Sequence, residues 1–232
     1  MIPVLGKDPA SPFPPTDQVL EDPAGLLAMG GDLSPTRLIN AYQHGIFPWF
    51  SDDQPILWWS PVPRCVLYPR DVHISRRLRR HYNQGKFNLT ADRAFDDVIR
   101  ACAAPREGQD GTWITRDMQN AYICLHRLGI AHSVEVWDRD RLVGGIYGLA
   151  LGQVFFGESM FSKHTDASKV ALVALCKQLQ RWDFNLLDCQ ISNPHLVSMG
   201  ATQLSLKELH VYLQTSNGTD HWGQDFDSVA RW

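Results

Sequence analysis

The chain has 232 residues, 44% of them hydrophobic and 20% charged, with a formal net charge of -3 at pH 7. That balance excludes a disordered tail, and it leaves local patches as the only electrostatic route to a polyanion. No apolar run reaches the roughly 20 residues that span a bilayer, and the opening "MIPVLGKDPASPFPP" lacks the basic-then-apolar layout of a secretion signal. A cytoplasmic protein with no membrane partner is expected. Five cysteines without a Cys-x-x-Cys pair, and nine scattered histidines, predict reduced thiols and no bound metal.

In chain order, residues 1 to about 30 are rich in Pro and Gly and read as an extended arm. "DLSPTRLINAYQHG" then predicts a helix capped by Ser34, with Pro35 at its first position and Gly45 at its end. "DDQPILWWSPVPRCVLYP" holds short strand-like pieces between prolines.

"HISRRLRRHYNQG" predicts a helix from Ser75 to about Gly85. At about 100° per residue, Arg76, Arg77, Arg79 and Arg80 fall within one arc of about 160°, and Ile74, Leu78 and Tyr82 fall on the other side. A charge run of this kind is either a solvated face or a footprint for nucleic acid or another polyphosphate. No acid lies between His73 and Lys86, which favours a polyanion.

Two further helices are expected near 92–103 and 116–128, separated by the glycine-containing loop "PREGQDGTWIT". From residue 131 the texture changes. "AHSVEVW", "RLVGGIYGLAL" and "QVFFGESMF" read as strands, "TDASKVALVALCKQLQRW" as an apolar helix and "FNLLDCQI" as a central strand, with helical pieces near 194–199 and 204–214. The order hairpin, helix, strand argues for a mixed α/β core behind a smaller first unit.

Three groups of residues invite chemistry. Trp49 and Trp113 sit at loop-like ends, where an indole either packs in the core or stacks on a base. Asp188 and Gln190 point to one side of a mostly apolar strand, and Glu158 follows Gly157 in another. Buried polar groups of this kind are either a satisfied network or the lining of a cleft for a cation or an amine. Cys189 reads as core filler, since Asp188 beside it disfavours a thiolate.

The blocks "GLLAMGGDLSPTRLINAYQHGIFPWFS", "ILWWSPVPR", "HISRRLRR", "GTWIT", "HSVEVW", "LVGGIYG", "FFGESMFS", "ASKVAL" and "DCQI" strongly resemble the bacterial leucyl/phenylalanyl-tRNA–protein transferases over about residues 22 to 215. The resemblance implies a small N-terminal domain (residues 1–65) and a GCN5-related acetyltransferase-like domain (66–232), with the boundary as late as about 130 as the alternative. It implies transfer of Leu or Phe, and weakly Met, from aminoacyl-tRNA to proteins with N-terminal Lys or Arg. That step marks them for N-degron degradation, by direct attack of the acceptor amine and without a cofactor. A monomer is expected.

Carried over by position, Trp49 and Trp113 border the terminal adenosine of the tRNA. Arg76, Arg77, Arg79 and Arg80 hold the acceptor stem. Tyr122, Ile146, Phe155, Met160, Leu175 and Leu187 surround the Leu or Phe side chain, and Glu158, Asp188 and Gln190 stand at the reacting amine. Ile146 and Leu175 depart from the Met and Phe common in the family, which bears on pocket shape. An acetyl-CoA enzyme is the rival, but "SMFSKHTDASK" has no glycine where its phosphate loop belongs. An RNA-binding module would leave the acid–amide pair without a task.

Overall fold

The computed structural model describes residues 2–105, 112–215, 222–223 and 225–228. Four short strands, β1 (Val4–Leu5), β2 (Leu26–Gly30), β3 (Phe47–Pro48) and β4 (Leu57–Trp59), form a small sheet in the order β1-β2-β4-β3. The first 30 residues are therefore not an extended arm. β1 pairs parallel with β2, a contact between segments some twenty residues apart that local composition does not encode. Helix α1 (Pro35–Gln43) starts as expected, with Ser34 Oγ accepting the Arg37 N–H at 3.4 Å, and the chain turns out of it at Gly45 with φ 72°.

The second sheet has seven strands in the order β11-β5-β10-β9-β8-β7-β6. These are β5 (Arg64–Leu67), β6 (Asn88–Ala91), β7 (Ala131–Asp138), β8 (Arg141–Leu151), β9 (Val154–Ser162), β10 (Leu186–Gln190) and β11 (Thr202–Leu204). The helices are α2 (Arg76–Asn83), α3 (Phe95–Ala103), α4 (Arg116–Arg127), α5 (Ala167–Arg181), α6 (Pro194–Ser198) and α7 (Leu206–Thr215). The edge strands β6 and β11 escape sequence reading because each is too short to show a period. The result is the expected mixed α/β protein: a small N-terminal sheet, then an antiparallel hairpin, a crossing helix and a parallel strand.

Alternation along the strands sorts the two faces. Tyr147, Leu149, Phe156 and Leu186 pack toward α3, α4 and the small sheet, in one cluster with Tyr42, Trp58 and Tyr122. Ile146, Ala150, Phe155 and Leu187 pack on the other side against Val170, Leu172 and Leu175 of α5. β9 and β10 run parallel, and their pairing stops at Asp188↔Phe156 while both strands continue. The sheet therefore opens between them just where Gly157, Glu158 and Gln190 stand.

The hairpin β8–β9 carries a register shift there, because Tyr147 faces Ser159 and Gly148 faces Gly157, leaving Glu158 as the extra residue. Gly148 is obligatory on steric grounds, since a Cβ added to it would lie 2.0 Å from the Phe156 carbonyl oxygen. Gly148→Ala is expected to cost about 3 kcal/mol in urea unfolding, the upper part of the overpacking range, because backbone must move.

Candidate active site

The best-defined polar group in the opening is built from three strands and two helices. Arg64, first residue of β5, and Asp188 of β10 are both wholly buried and face each other on paired strands. Arg64 Nε donates to Asp188 Oδ1 at 2.9 Å and Nη2 to Oδ2 at 2.9 Å, a bidentate fork. The guanidinium also lies over the Phe47 ring, 4.9 Å from its centroid. Asp188 Oδ1 also accepts a hydrogen bond from the backbone N–H of Gln190 at 2.9 Å. That bond spans the register shift between Asp188 and Gln190 and fixes Gln190 at φ 57°, a left-handed conformation that costs free energy for a residue with a side chain.

Asp188 is wholly buried. Its two oxygens are engaged by Arg64 and by the Gln190 backbone N–H, an arrangement that suits it to holding Gln190 in place. The physical reason for the Arg64 pairing is cost: a solitary buried carboxylate is stable only beside a buried cation.

Glu158, unlike Asp188, is only half-buried. The Tyr42 hydroxyl donates to its Oε1 at 2.7 Å, the Tyr122 hydroxyl to its Oε2 at 3.1 Å, and Gln190 Nε2 approaches Oε1 at 3.3 Å. The two phenol oxygens also touch each other. Burial first, and then the Glu158 charge, hold both phenols well above their usual range, so they are donors at neutral pH. Burial is also the largest influence on Glu158. With a smaller push from the Asp188 charge, it raises the carboxyl to about 7 against the pull of the two phenols and Arg64. A carboxyl that changes charge near neutral pH, in an opening between strands, can both attract a cation and take its proton.

Of the six residues expected around an apolar side chain, five come together. Ile146, Phe155, Leu175 and Leu187 are buried in the cluster beneath α5, and Met160 packs partly against it. Tyr122 does not join them. It lies on the opposite face of the sheet, bound to Glu158, because helix α4 presents it to the α3 side. Gly157 connects the two faces at the strand opening, since a Cβ there would press on Leu187 Cδ1 at 3.3 Å.

The arginine helix forms as expected. Ser75 Oγ accepts the Leu78 N–H at 3.1 Å, Leu78 and Tyr82 are buried, and all four arginines are exposed. Arg77 is not free, however. It pairs at 3.4 Å with Asp166, an acid from the loop before α5 that also meets His81 and Lys169. Arg76, Arg79 and Arg80 have no acidic partner among the described residues, and they line a shallow surface depression of about 520 Å³ with Asn83 and Gln84. The Asp166 contact ties α2 to the end of the sheet where β9 and β10 have separated. Ser162, four residues beyond Glu158, is about 13 Å from it along the strand.

Trp49 is 41% exposed and stacks edge-on against Trp59, whereas Trp113 packs partly into the α3–α4 cluster. Two residues of the site escaped sequence reading, Arg64 and Tyr42. Each carries a signal in hindsight: a lone cation in an apolar strand needs an acid, and a phenol on a buried helix face needs a polar partner. Among the described residues, no group of three or more His, Cys, Asp or Glu is arranged to hold a metal ion, and no helix is long and apolar enough to cross a membrane.

A family model described as leucyl/phenylalanyl-tRNA protein transferase matches residues 66–214, and one for the N-terminal domain of the same family matches residues 31–62. A leucyl/phenylalanyl-tRNA–protein transferase of Alkalilimnicola ehrlichii is 54% identical over 230 residues, covering 96% of this chain and 89% of that protein. One of Xanthomonas axonopodis pv. citri is 60% identical over 202 residues, covering 87% and 81%. Among solved structures, that of L-PGS from Bacillus licheniformis aligns with a TM-score of 0.40 at 10% identity, over 72% of this chain and 53% of that one.

Proposed function

The chain belongs to the leucyl/phenylalanyl-tRNA–protein transferase family, and on that premise we propose that it joins Leu or Phe, and weakly Met, to the α-amino group of proteins beginning with Lys or Arg, marking them for N-degron degradation. The ester bond of an aminoacyl-tRNA is already activated, so the acceptor nitrogen attacks the carbonyl carbon directly. The carbon–oxygen bond to the ribose breaks, the ribose oxygen leaves with a proton, and the amine gives one up.

An α-amino group has an ordinary pKa of about 7.7–8.0, so roughly a tenth is free base at neutral pH. Glu158 supports the reading most directly, because its ionised form attracts the cationic end of the acceptor and then accepts a proton from it. Gln190 is held by Asp188, itself held by Arg64, where its amide can hydrogen-bond the nitrogen. The cluster of Ile146, Phe155, Met160, Leu175 and Leu187 lies across the strand opening and suits an unbranched-at-Cβ side chain. Trp49 and Trp113 remain the candidates to stack on the terminal adenosine. Incubation with Leu-tRNA and a peptide starting with Arg is expected to add one leucyl residue to the peptide mass. No gain with either Leu-tRNA or Phe-tRNA would overturn the proposal.

The arginine helix grips phosphates of the acceptor stem in this reading, with Arg76, Arg79 and Arg80 as the free cations and Arg77 bound to Asp166. Each phosphate contact steepens the fall of log affinity with log salt by roughly 0.7–0.9. Replacing the three with Ala is expected to flatten that slope by roughly 2–3 in tRNA binding measured against KCl, and to leave an aminoacyl-adenosine analogue bound as before. An unchanged slope would remove the helix from tRNA binding.

A further inference from the structure

The family match ends at residue 214, yet Trp222 and Phe226 beyond it pack against the core. The described residues of this segment are fastened by side chains of the body. Trp222 Nε1 donates to Asp92 Oδ2 at 2.8 Å, and Trp182 Nε1 donates to Asp225 Oδ1 at 2.7 Å. Arg181 pairs with Asp227 at 2.6 Å, and Gln178 Oε1 accepts the Asp227 N–H at 2.9 Å. The anchor points lie at the end of α5 and at Asp92, so Trp222, Asp225 and Asp227 sit on the α5 side of the sheet.

What the segment covers is specific. Gly148 and His132 are paired across β8 and β7. Gly148 has no side chain, and the Phe155 ring fills that place, since a Cβ on Gly148 would meet Phe155 Cε1 at 2.5 Å. Trp222 closes the row from outside. Its indole stacks on His132, centroids 4.2 Å apart and 16° between planes, and on Phe155, 5.6 Å apart and 29°. The Phe155 ring is thus held between the sheet and Trp222.

We propose that Trp222 is a specificity-determining positioning residue, a buttress that fixes Phe155 and so sets the room that the apolar cluster gives the aminoacyl side chain. The inference rests on the reading of Phe155 as part of the cluster that receives that side chain. With the indole removed, the Phe155 ring gains room to rock away from the strand opening, and the cluster yields more space. Larger side chains then fit better, while the chemistry at Glu158 is untouched.

The test compares kcat/KM for Leu-, Met- and Phe-tRNA with an Arg-starting peptide in the parent, Trp222→Ala, Trp222→Phe and Phe155→Ala. Trp222→Ala is expected to raise the Phe-to-Leu ratio by about 10-fold, the low end of methylene-scale discrimination, and Trp222→Phe to restore most of the parent ratio. Should Trp222→Ala fold poorly, Asp225→Asn with Asp227→Asn loosens the segment without opening the core and is expected to move the ratio the same way. A changed ratio in Phe155→Ala with an unchanged one in the folded Trp222 or Asp225/Asp227 variants would overturn the buttress alone. Unchanged ratios in Phe155→Ala would overturn the assignment of the cluster to the aminoacyl side chain, and the buttress with it.

Discussion

Replacing Glu158 with Gln is expected to lower transfer to an Arg-starting peptide by roughly 10²–10⁴-fold, the range for loss of a positioned proton acceptor. The loss has two components that separate experimentally. KM for the peptide rises because the anionic partner of its cationic end is gone, and kcat falls because no group near pH 7 takes the proton. The parent rate is expected to rise with pH through about 7, where Glu158 ionises, and again toward the range of the acceptor amine. The variant keeps only the second rise. A Glu158→Gln protein that retains both limbs would show that the proton goes elsewhere, to the ribose hydroxyl or to water.

The same substitution has an opposite effect on stability. The folded carboxyl is raised from the usual 4.5 to about 7, so between those values the folded state holds more protons than the unfolded state. Stability is therefore lost as pH rises through that window, and lost fully above about 7. Glu158→Gln does not titrate, so its melting temperature should gain on the parent between pH 5 and pH 8. A carboxylate that weakens the fold is what the role proposed for Glu158 predicts, since stability is commonly traded for activity.

Arg64→Ala carries the second large effect. It leaves Asp188 buried and unpaired, which is expected to cost about 3–5 kcal/mol of stability in urea unfolding. Because Asp188 also holds Gln190 in its left-handed turn, activity should fall further than stability accounts for, measured at a temperature where the variant is still folded. Arg64→Lys separates the roles: it keeps the charge but loses the fork, so most stability returns while the Gln190 placement does not. Full recovery of transfer in the lysine variant would show that charge alone, and not the fork, supports the site.

Much of this arrangement is legible in the sequence where the signal is local. Ser34 with Pro35, Ser75 with Leu78 and Tyr82, and the alternation of "HSVEVW" each fix an element because cap, period and breaker fall within a dozen residues. The pairing of Arg64 with Asp188 is not legible, because 124 positions separate two residues that make sense only together. For the same reason the strand at Leu26–Gly30 reads as part of an arm until Val4 and Leu5 are seen beside it. Alternation puts Asp188 and Gln190 on one side of a central strand. It does not say that Asp188 is locked to an arginine while Glu158 is met by two phenols. Nor could it place Tyr122, since a tyrosine on a half-buried helix serves an apolar wall or a carboxylate equally well.

The measurement that bears most directly on the account is a crystal structure with a hydrolysis-resistant leucyl-adenosine analogue. The leucyl side chain is expected among Ile146, Met160, Leu175 and Leu187, with its carbonyl at the opening between β9 and β10 and within hydrogen-bond reach of Gln190 or Glu158. An analogue seated instead in the groove of about 980 Å³ between residues 10–17, α1 and α7 would contradict it.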